Sequence, residues 1–289
     1  HGCYAERVAV PAHQALPAIS DFTLHENAAF AVNYVTAWVS LMEMARLRPT
    51  DAVLVQAAAG GVGTAALQLA RALGCTVFGT AGSEAKQGLL KRLGADAAIN
   101  YRATDFEAEV RRLTGGRGVD VVLESVGGEV YRKSLRLLAP TGRLVVVGFA
   151  SLDFRRWDPR SWWRTWRDIP RVAVGAMAVR SVGVLATHIG YLLPERERLA
   201  GLWGELVWFV IRHRVRPVCG ARSHQGAQSG RHHARRRNAA HGRRHFPAQD
   251  HGGTPHSSGD LLDPHGARRR NHHAGPRRRR RQHHHQTQE

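Results

Sequence analysis

Ala57-Ala58-Ala59-Gly60-Gly61-Val62-Gly63 joins a short apolar run, Ala52-Val-Leu-Val-Gln56, to an amphipathic stretch, Val62 to Leu73, that places Ala66, Leu67, Leu69 and Ala70 on one face. The run reads as a buried strand and the stretch as a helix. Small residues at a strand-to-helix turn let backbone N–H groups approach a pyrophosphate, while the positive end of the helix dipole faces the anion. Gly60 and Gly61 permit the tight turn, and Gly63 lets the helix pack close to the sheet. Glycine also simply makes turns, so the weight of the reading comes from the strand and helix on either side.

Outward from the loop the same alternation continues. Thr76-Val-Phe-Gly-Thr80 is a second strand, and Glu84 to Leu93 a helix with Ser83 as its N-cap. A short strand, Ala97-Ala-Ile99, precedes a helix over Asp105 to Leu113; Val119 to Leu123, Tyr131 to Leu138 and Gly142 to Gly148 then read as strand, helix and strand. Strands alternating with helices of this size predict a doubly wound α/β (Rossmann) domain with a parallel sheet covered on both faces.

Upstream, Glu26 to Leu47 predicts a long helix stopped at Arg48-Pro49, and His1 to Pro11 has strand composition. Downstream lie a Trp- and Arg-rich connector from Asp158 to Arg171 and a predicted strand, Ser181 to Tyr191. A final helix, Leu199 to His213, has Leu202, Leu206, Phe209 and Val210 on one face.

Composition narrows the class further. The chain has 289 residues, 43% of them hydrophobic, enough for one large domain or two smaller ones, and a net charge of +19. That charge suggests a polyanion partner until it is located: residues 222–289 hold 15 of the 42 Lys and Arg residues and 13 of the 18 His, with four acidic residues and one aromatic, Phe246. Such a segment buries too little apolar surface to offset its chain entropy and is predicted to be disordered. Three distant cysteines, Cys3, Cys75 and Cys219, argue for a reducing compartment, with the cytoplasm as default. The chain opens at His1 without a secretory leader, and its true start is left open. Val172 to Leu193, the longest apolar candidate for a membrane span, is interrupted by Arg180 and His188 and does not read as one.

Cofactor choice is usually signalled about 20 residues beyond the glycine loop, at the end of the second strand. Here stands Thr80-Ala-Gly-Ser83, with no carboxylate for a ribose hydroxyl; Glu84 reads as a first-turn charge on the helix dipole. Ser83, Lys86 and Tyr101 would together suit a 2′-phosphate, hence NADPH, although Lys86 alone reads equally as a solvated helix charge.

Val32-Asn-Tyr-Val-Thr-Ala-Trp38, Ala58-Ala-Gly-Gly-Val-Gly63, Ala81-Gly-Ser-Glu-Ala-Lys86, Ile99-Asn-Tyr101, Val122-Leu-Glu-Ser-Val-Gly-Gly128 and Gly142-Arg-Leu-Val-Val-Val-Gly148 run in order along the chain. Together they resemble the zinc-independent quinone oxidoreductase branch of the medium-chain dehydrogenase/reductase superfamily, over about Gly2 to Ala221. The resemblance implies hydride transfer from NADPH to a quinone or an α,β-unsaturated carbonyl. It implies that Gly60, Gly61, Val62 and Gly63 hold the pyrophosphate, and Ser83, Lys86 and Tyr101 the 2′-phosphate. Ser125, Gly127, Val147 and Gly148 would lie at the carboxyl ends of the fourth and fifth strands, where an open parallel sheet binds its ligand. Asn33 and Thr36 match positions lining the nicotinamide pocket, and read equally as polar residues packing a helix. No catalytic residue is assigned. No metal is expected, because the cysteines form no Cys-x-x-Cys pair and Ala31 to Thr36 stands where a ligand cysteine would be. The resemblance also implies a homodimer paired through residues 181–191.

The chain departs from the family at both ends. Residues 1–24 match only a remnant of a GroES-like β domain, residues 25–213 the nucleotide-binding domain, and residues 214–221 the start of a return strand. Residues 222–289 read as the product of a frameshift in GC-rich coding DNA, a genome type that the 39 Arg against 3 Lys also fits. A polybasic arm for non-specific nucleic-acid binding, centred on Arg277 to Arg281, is the competing reading. Two functions follow: an NADPH-dependent reductase, whole or as an inactive fragment, or a non-catalytic dinucleotide-binding module with a basic tail.

Overall fold

The first helix, α1 (Leu24–Trp38), starts at a capping box: Glu26 N–H donates to Thr23 Oγ1, and the Glu26 carboxylate accepts the Thr23 N–H at 2.8 Å. Two donors that a helix start leaves open are thereby satisfied. The computed structural model describes residues 8–11, 15–150 and 172–218. After α1 the chain widens into a π-helical turn, Val39–Met44, and Arg46 turns left-handed (φ 48°) ahead of Pro49. The single helix predicted over Glu26 to Leu47 is thus two segments, because the second turn relaxes from the i→i+4 pattern before it ends.

Strands and helices then alternate: β1 (Ala52–Val55), α2 (Gly61–Leu73), β2 (Thr76–Ala81), α3 (Glu84–Arg92), β3 (Ala97–Asn100), α4 (Phe106–Leu113), β4 (Val119–Glu124), α5 (Gly128–Arg136), β5 (Leu138–Val146), α6 (Val174–Arg180), β6 (Gly183–Ala186) and α7 (Arg196–Arg212). The six strands form one sheet in the order β3-β2-β1-β4-β5-β6, and every neighbouring pair is parallel. This is the doubly wound α/β fold that the alternation predicts. Its order reverses between β1 and β4, where such sheets open a crevice at their carboxyl ends.

Period-two alternation explains the two cores. Val53, Val55, Val121 and Leu123 point to one face, where they pack with Phe30 and Tyr34 of α1, Leu41 of the π-helical turn, Leu67 and Leu69 of α2 and Leu206 of α7. Leu54, Val122 and Leu144 point to the other, against Phe106 and Val110 of α4 and Tyr131 of α5. Both faces are buried, so β1 reads as a continuous apolar run and β4 as one over Val121–Leu123.

Three expectations need correction. The fifth strand begins at Leu138, four residues before the predicted Gly142, because a register shift opposite Val119 and Val121 lets Pro140-Thr141-Gly142 bulge within it. The strand predicted over Ser181 to Tyr191 keeps only Gly183–Ala186; a 3₁₀ turn, Ile189–Leu192, follows. Neither Val8–Pro11 nor Arg214–Val218 is a strand, since no described strand lies beside them to complete a ladder. Arg214 instead takes the left-handed position (φ 54°) that closes α7: Val215 N–H donates to Val210 C=O and Arg214 N–H to Ile211 C=O. Arg216 then reaches back to the Asp21 carbonyl (2.5 Å) and the Glu26 carboxylate (3.4 Å).

The predicted connector Asp158 to Arg171 and the tail 222–289 lie outside the described residues. Among the described residues, no helix is long and apolar enough to cross a membrane. Val172 to Leu193 instead holds α6, β6 and a 3₁₀ turn.

Cys75 is 1% exposed at the head of β2; burial first, and then the charges of Asp51 and Asp120, push its thiol up to about 11. Peptide-level mass spectrometry after iodoacetamide treatment at pH 8 should find Cys75 unmodified in the native chain and alkylated in urea. Rapid native labelling at that residue would contradict its placement.

Candidate functional site

The glycine loop is anchored by buried polar groups at its start. Thr80 Oγ1 accepts the Ala57 N–H (3.1 Å) and donates to Gln56 Oε1 (2.7 Å), while Gln56 Nε2 donates to Ser134 Oγ (3.0 Å). Ala58 N–H donates to the Thr80 carbonyl, which ties the loop to β2. Ala57 is left-handed (φ 48°), a strained setting for a residue with a Cβ that this network holds in place. Beyond it, Gly60 begins α2 without any side-chain cap, so no side chain competes for the N–H groups of Gly61, Val62 and Gly63. A Cβ on Gly63 would lie 2.6 Å from Ala57 O and 2.7 Å from Ala58 Cα, so α2 reaches this close to the loop only with glycine there.

A cavity of about 480 Å³ opens from Gly60 along the carboxyl ends of β1 and β2; its wall includes Gln56, Thr80, Gly82, Lys86, Tyr101 and Lys133. Three of the residues predicted for the cofactor, Gly60, Lys86 and Tyr101, line it directly. Ser83 stands beside them as the N-cap of α3, its Oγ accepting the Lys86 N–H at 3.4 Å, which leaves its own proton free to donate. Tyr101 packs on Gly82 so closely that a Cβ there would be 2.6 Å from the phenol oxygen and 3.3 Å from Arg102 Nε. Arg102 therefore adds a guanidinium to this corner. It went unforeseen because a cation one residue past the third strand has no periodicity to mark it.

The other predicted residues lie around this cavity rather than in its wall. Asn33 abuts Gly61, whose added Cβ would be 2.5 Å from Asn33 Oδ1, and Asn33 Nδ2 donates to the Ala29 carbonyl. Thr36, 8% exposed, donates to the Val32 carbonyl at 2.6 Å. The Thr36 hydroxyl and the Asn33 Nδ2 group thus each donate within α1. Ser125 and Gly127 follow β4, and Val147 and Gly148 follow β5; Val147 N–H donates to Glu124 O and Ala150 N–H to Ser125 O, which brings the two strand ends together.

Glu124 is the group at this end that sequence reading missed. It is fully buried, and its carboxylate accepts N–H groups of Val126 (2.7 Å) and Gly127 (3.0 Å). Burial raises its pKa above the usual 4.5, opposed by the hydrogen bonds from Val126, Gly127 and Ser125. Tyr131 Oη lies buried without a hydrogen-bond partner among the described residues, and its pKa is raised by burial and then by the Glu124 charge. Across the cavity, Lys133 pairs with Asp105 at 2.7 Å, which holds the Asp105 carboxyl below its ordinary range. That pair spans 28 residues of sequence and left no local signal. Among the described residues, no group of three or more His, Cys, Asp or Glu could hold a metal ion.

The chain is similar to known proteins. The zinc-binding dehydrogenase family model matches residues 61–178. The synaptic vesicle membrane protein VAT-1 homolog of Mus musculus is 36% identical over 218 residues, 75% of this chain and 53% of that protein. The mycocerosic acid synthase-like polyketide synthase of Mycolicibacterium smegmatis is 40% identical over 148 residues, 51% of this chain and 7% of that protein. The chain thus spans about half the length of the first relative and a small part of the second. Among solved structures, a putative enoyl reductase domain of a polyketide synthase is 34% identical, with a TM-score of 0.52 over 63% of this chain and 92% of that one. A quinone oxidoreductase of Pseudomonas syringae pv. tomato DC3000 is 28% identical with a TM-score of 0.62, over 73% of this chain and 60% of that one. Mycobacterial Rv1454c, solved in complex with NADPH, is 28% identical with a TM-score of 0.61, over 71% and 59%.

Proposed function

The chain belongs to the medium-chain dehydrogenase/reductase superfamily, in its quinone and enoyl reductase branch, and from that premise we propose that it binds NADPH and passes hydride to a quinone or an α,β-unsaturated carbonyl. The observation that carries the cofactor reading is the corner beside the glycine loop. A hydroxyl (Ser83), an ammonium (Lys86), a phenol (Tyr101) and a guanidinium (Arg102) meet around Gly82, where β2 ends without a carboxylate. That donor set suits a dianionic 2′-phosphate and offers no carboxylate to accept a ribose 2′-hydroxyl.

In this reading the first turn of α2, Gly61 to Gly63, holds the pyrophosphate. Ser125, Gly127, Val147 and Gly148 flank the cofactor at the sheet's carboxyl edge, and Asn33 and Thr36 border the nicotinamide. The nicotinamide supplies the hydride; the chain supplies binding and orientation. The outer edge of β6, which has no partner strand among the described residues, is where a second copy of the chain would pair. Analytical ultracentrifugation tests that pairing, and a monomer at micromolar concentration would rule it out.

Fluorescence titration with NADPH and NADH tests the cofactor reading. NADPH should bind at least about tenfold tighter, the equivalent of roughly 1.4 kcal/mol from the extra charge-assisted contacts. Lys86→Ala should close most of that gap while leaving NADH affinity unchanged; equal affinities in the parent chain would overturn the assignment. NADPH oxidation by a panel of quinones and enones then tests turnover. Binding without oxidation by any of them would make the chain a nucleotide-binding module rather than an enzyme.

A further inference from the structure

At the opposite end of the sheet, before β1 and at the bulge of β5, lies a second cavity, of about 420 Å³, lined by Met44, Ala45, Arg46, Arg48, Thr141 and Arg143. Three of those six side chains are guanidinium groups. Arg143 is committed: it donates to Asp51 Oδ2 at 2.6 Å and to the Ala45 carbonyl at 2.8 Å. Asp51, 6% exposed, is the carboxylate of this end, and it also accepts the Arg48 N–H at 3.1 Å. The neighbouring Asp120 is matched in the same way by Arg117 at 2.6 Å.

Both carboxylates are therefore spent on Arg143 and Arg117. Arg46 and Arg48 are exposed at the mouth, and among the described residues neither forms an ion pair. The cavity is left with two surplus positive charges. Arg48 is also mounted rigidly, its N–H held by Asp51 and its carbonyl accepting the Cys75 thiol at 3.1 Å.

The backbone here is unusual as well. Only five described residues other than glycine have positive φ, and two of them, Arg46 (48°) and Thr141 (63°), line this cavity. A third, Ala57, lines the nucleotide cavity. Strained backbone of this kind concentrates at ligand sites, and the π-helical turn that ends two residues before Arg46 is a second feature with the same tendency.

We propose that this cavity is a second anion site, which takes the dianionic phosphoryl group of inorganic phosphate or of a small phosphomonoester between Arg46 and Arg48, with Thr141 beside it. Two free guanidiniums match a dianion in charge, and their planar donor forks match phosphoryl oxygens in geometry. The site is independent of the nucleotide reading, because it shares no residue with that cavity.

Phosphate titration of the full chain carrying Lys86→Ala tests it, since that change weakens the other phosphate-binding corner. Thermal melts at constant ionic strength, balanced with chloride, should show a saturable rise in midpoint. Hydrogen exchange should slow at residues 44–48 and 141–143, a readout local to this cavity. Adding Arg46→Gly and Arg48→Ala should weaken phosphate binding at least tenfold. Glycine accepts positive φ without cost, so the fold is kept. A midpoint shift unchanged in that triple variant, or no protection at 44–48, would overturn the proposal. Glycerol 3-phosphate provides the second arm: tighter binding than inorganic phosphate assigns the site to an organic ester, and equal binding to the free anion.

Discussion

Gly63→Ala should lower the stability of the α/β unit by roughly 3 kcal/mol, the upper end of what an extra methyl group costs in a packed site, and should weaken nucleotide binding more than tenfold. The atoms such a methyl would meet are backbone: Ala57 O at 2.6 Å and Ala58 Cα and C at 2.7 and 2.8 Å. They cannot simply swing aside. Moving them would break the Ala57 N–H to Thr80 Oγ1 and Ala58 N–H to Thr80 O bonds, and with them the geometry that presents the first turn of α2 to an anion. For a unit of this size the loss corresponds to a melting-point drop of roughly 6–12 °C. Gly204→Ala is the matched control: it lies in α7 with nothing within 4 Å of an added Cβ, and should stabilise by about 0.5–1 kcal/mol. Calorimetry of the two variants decides the matter, since a Gly63→Ala melting point no lower than that of Gly204→Ala would mean that α2 does not approach the loop as described.

The second large effect belongs to Glu124. Truncation to alanine should cost about 3–5 kcal/mol, because it leaves the N–H groups of Val126 and Gly127 buried without acceptors. Glu124→Gln keeps one acceptor oxygen and removes the charge, and its comparison with the parent chain isolates ionisation. Burial raises the folded-state pKa above 4.5, so the folded chain holds this proton more firmly than the unfolded chain. The resulting stabilisation is complete below about 4.5, the ordinary value, and is lost as pH rises through the higher folded-state value. Relative to Glu124→Gln, the parent should therefore become less stable from pH 4.5 upward. Urea unfolding of both chains across pH 4.5 to 7.5 measures the difference; a flat difference, or one that favours the parent at higher pH, would show that the backbone donors outweigh burial.

What the sequence discloses about this fold follows from where its information is local. The β1-loop-α2 unit is legible because a buried parallel strand, a glycine turn and an amphipathic helix each leave a pattern within a dozen residues. The same holds for the alternation up to β4, whose predicted bounds differ from the observed ones by a residue or so. The bulged start of β5 was not legible: Pro140-Thr141-Gly142 has turn chemistry, and only the partner strand β4 reveals that it lies within a ladder. Nor could the pattern separate β6 from the 3₁₀ turn after it, since both are apolar.

At the site, Gly60, Lys86 and Tyr101 were legible as cavity-lining residues. Arg102, Glu124 and the Asp105–Lys133 pair were not, because each matters through a neighbour that folding alone supplies. The Arg46 and Arg48 cavity is the extreme case. Its surplus charge appears only once Asp51 and Asp120 are seen to be committed elsewhere.

The bond from Arg216 to the Asp21 carbonyl holds the two ends of the described α/β segment side by side. A cassette with adjoining ends can be spliced into a surface loop of a host protein without prying that host apart, or joined end to end by a short bridge and reopened elsewhere. Residues 15–218 are accordingly a natural piece for transplantation, and the guanidinium of Arg216 is the clasp that would tell whether a graft had seated.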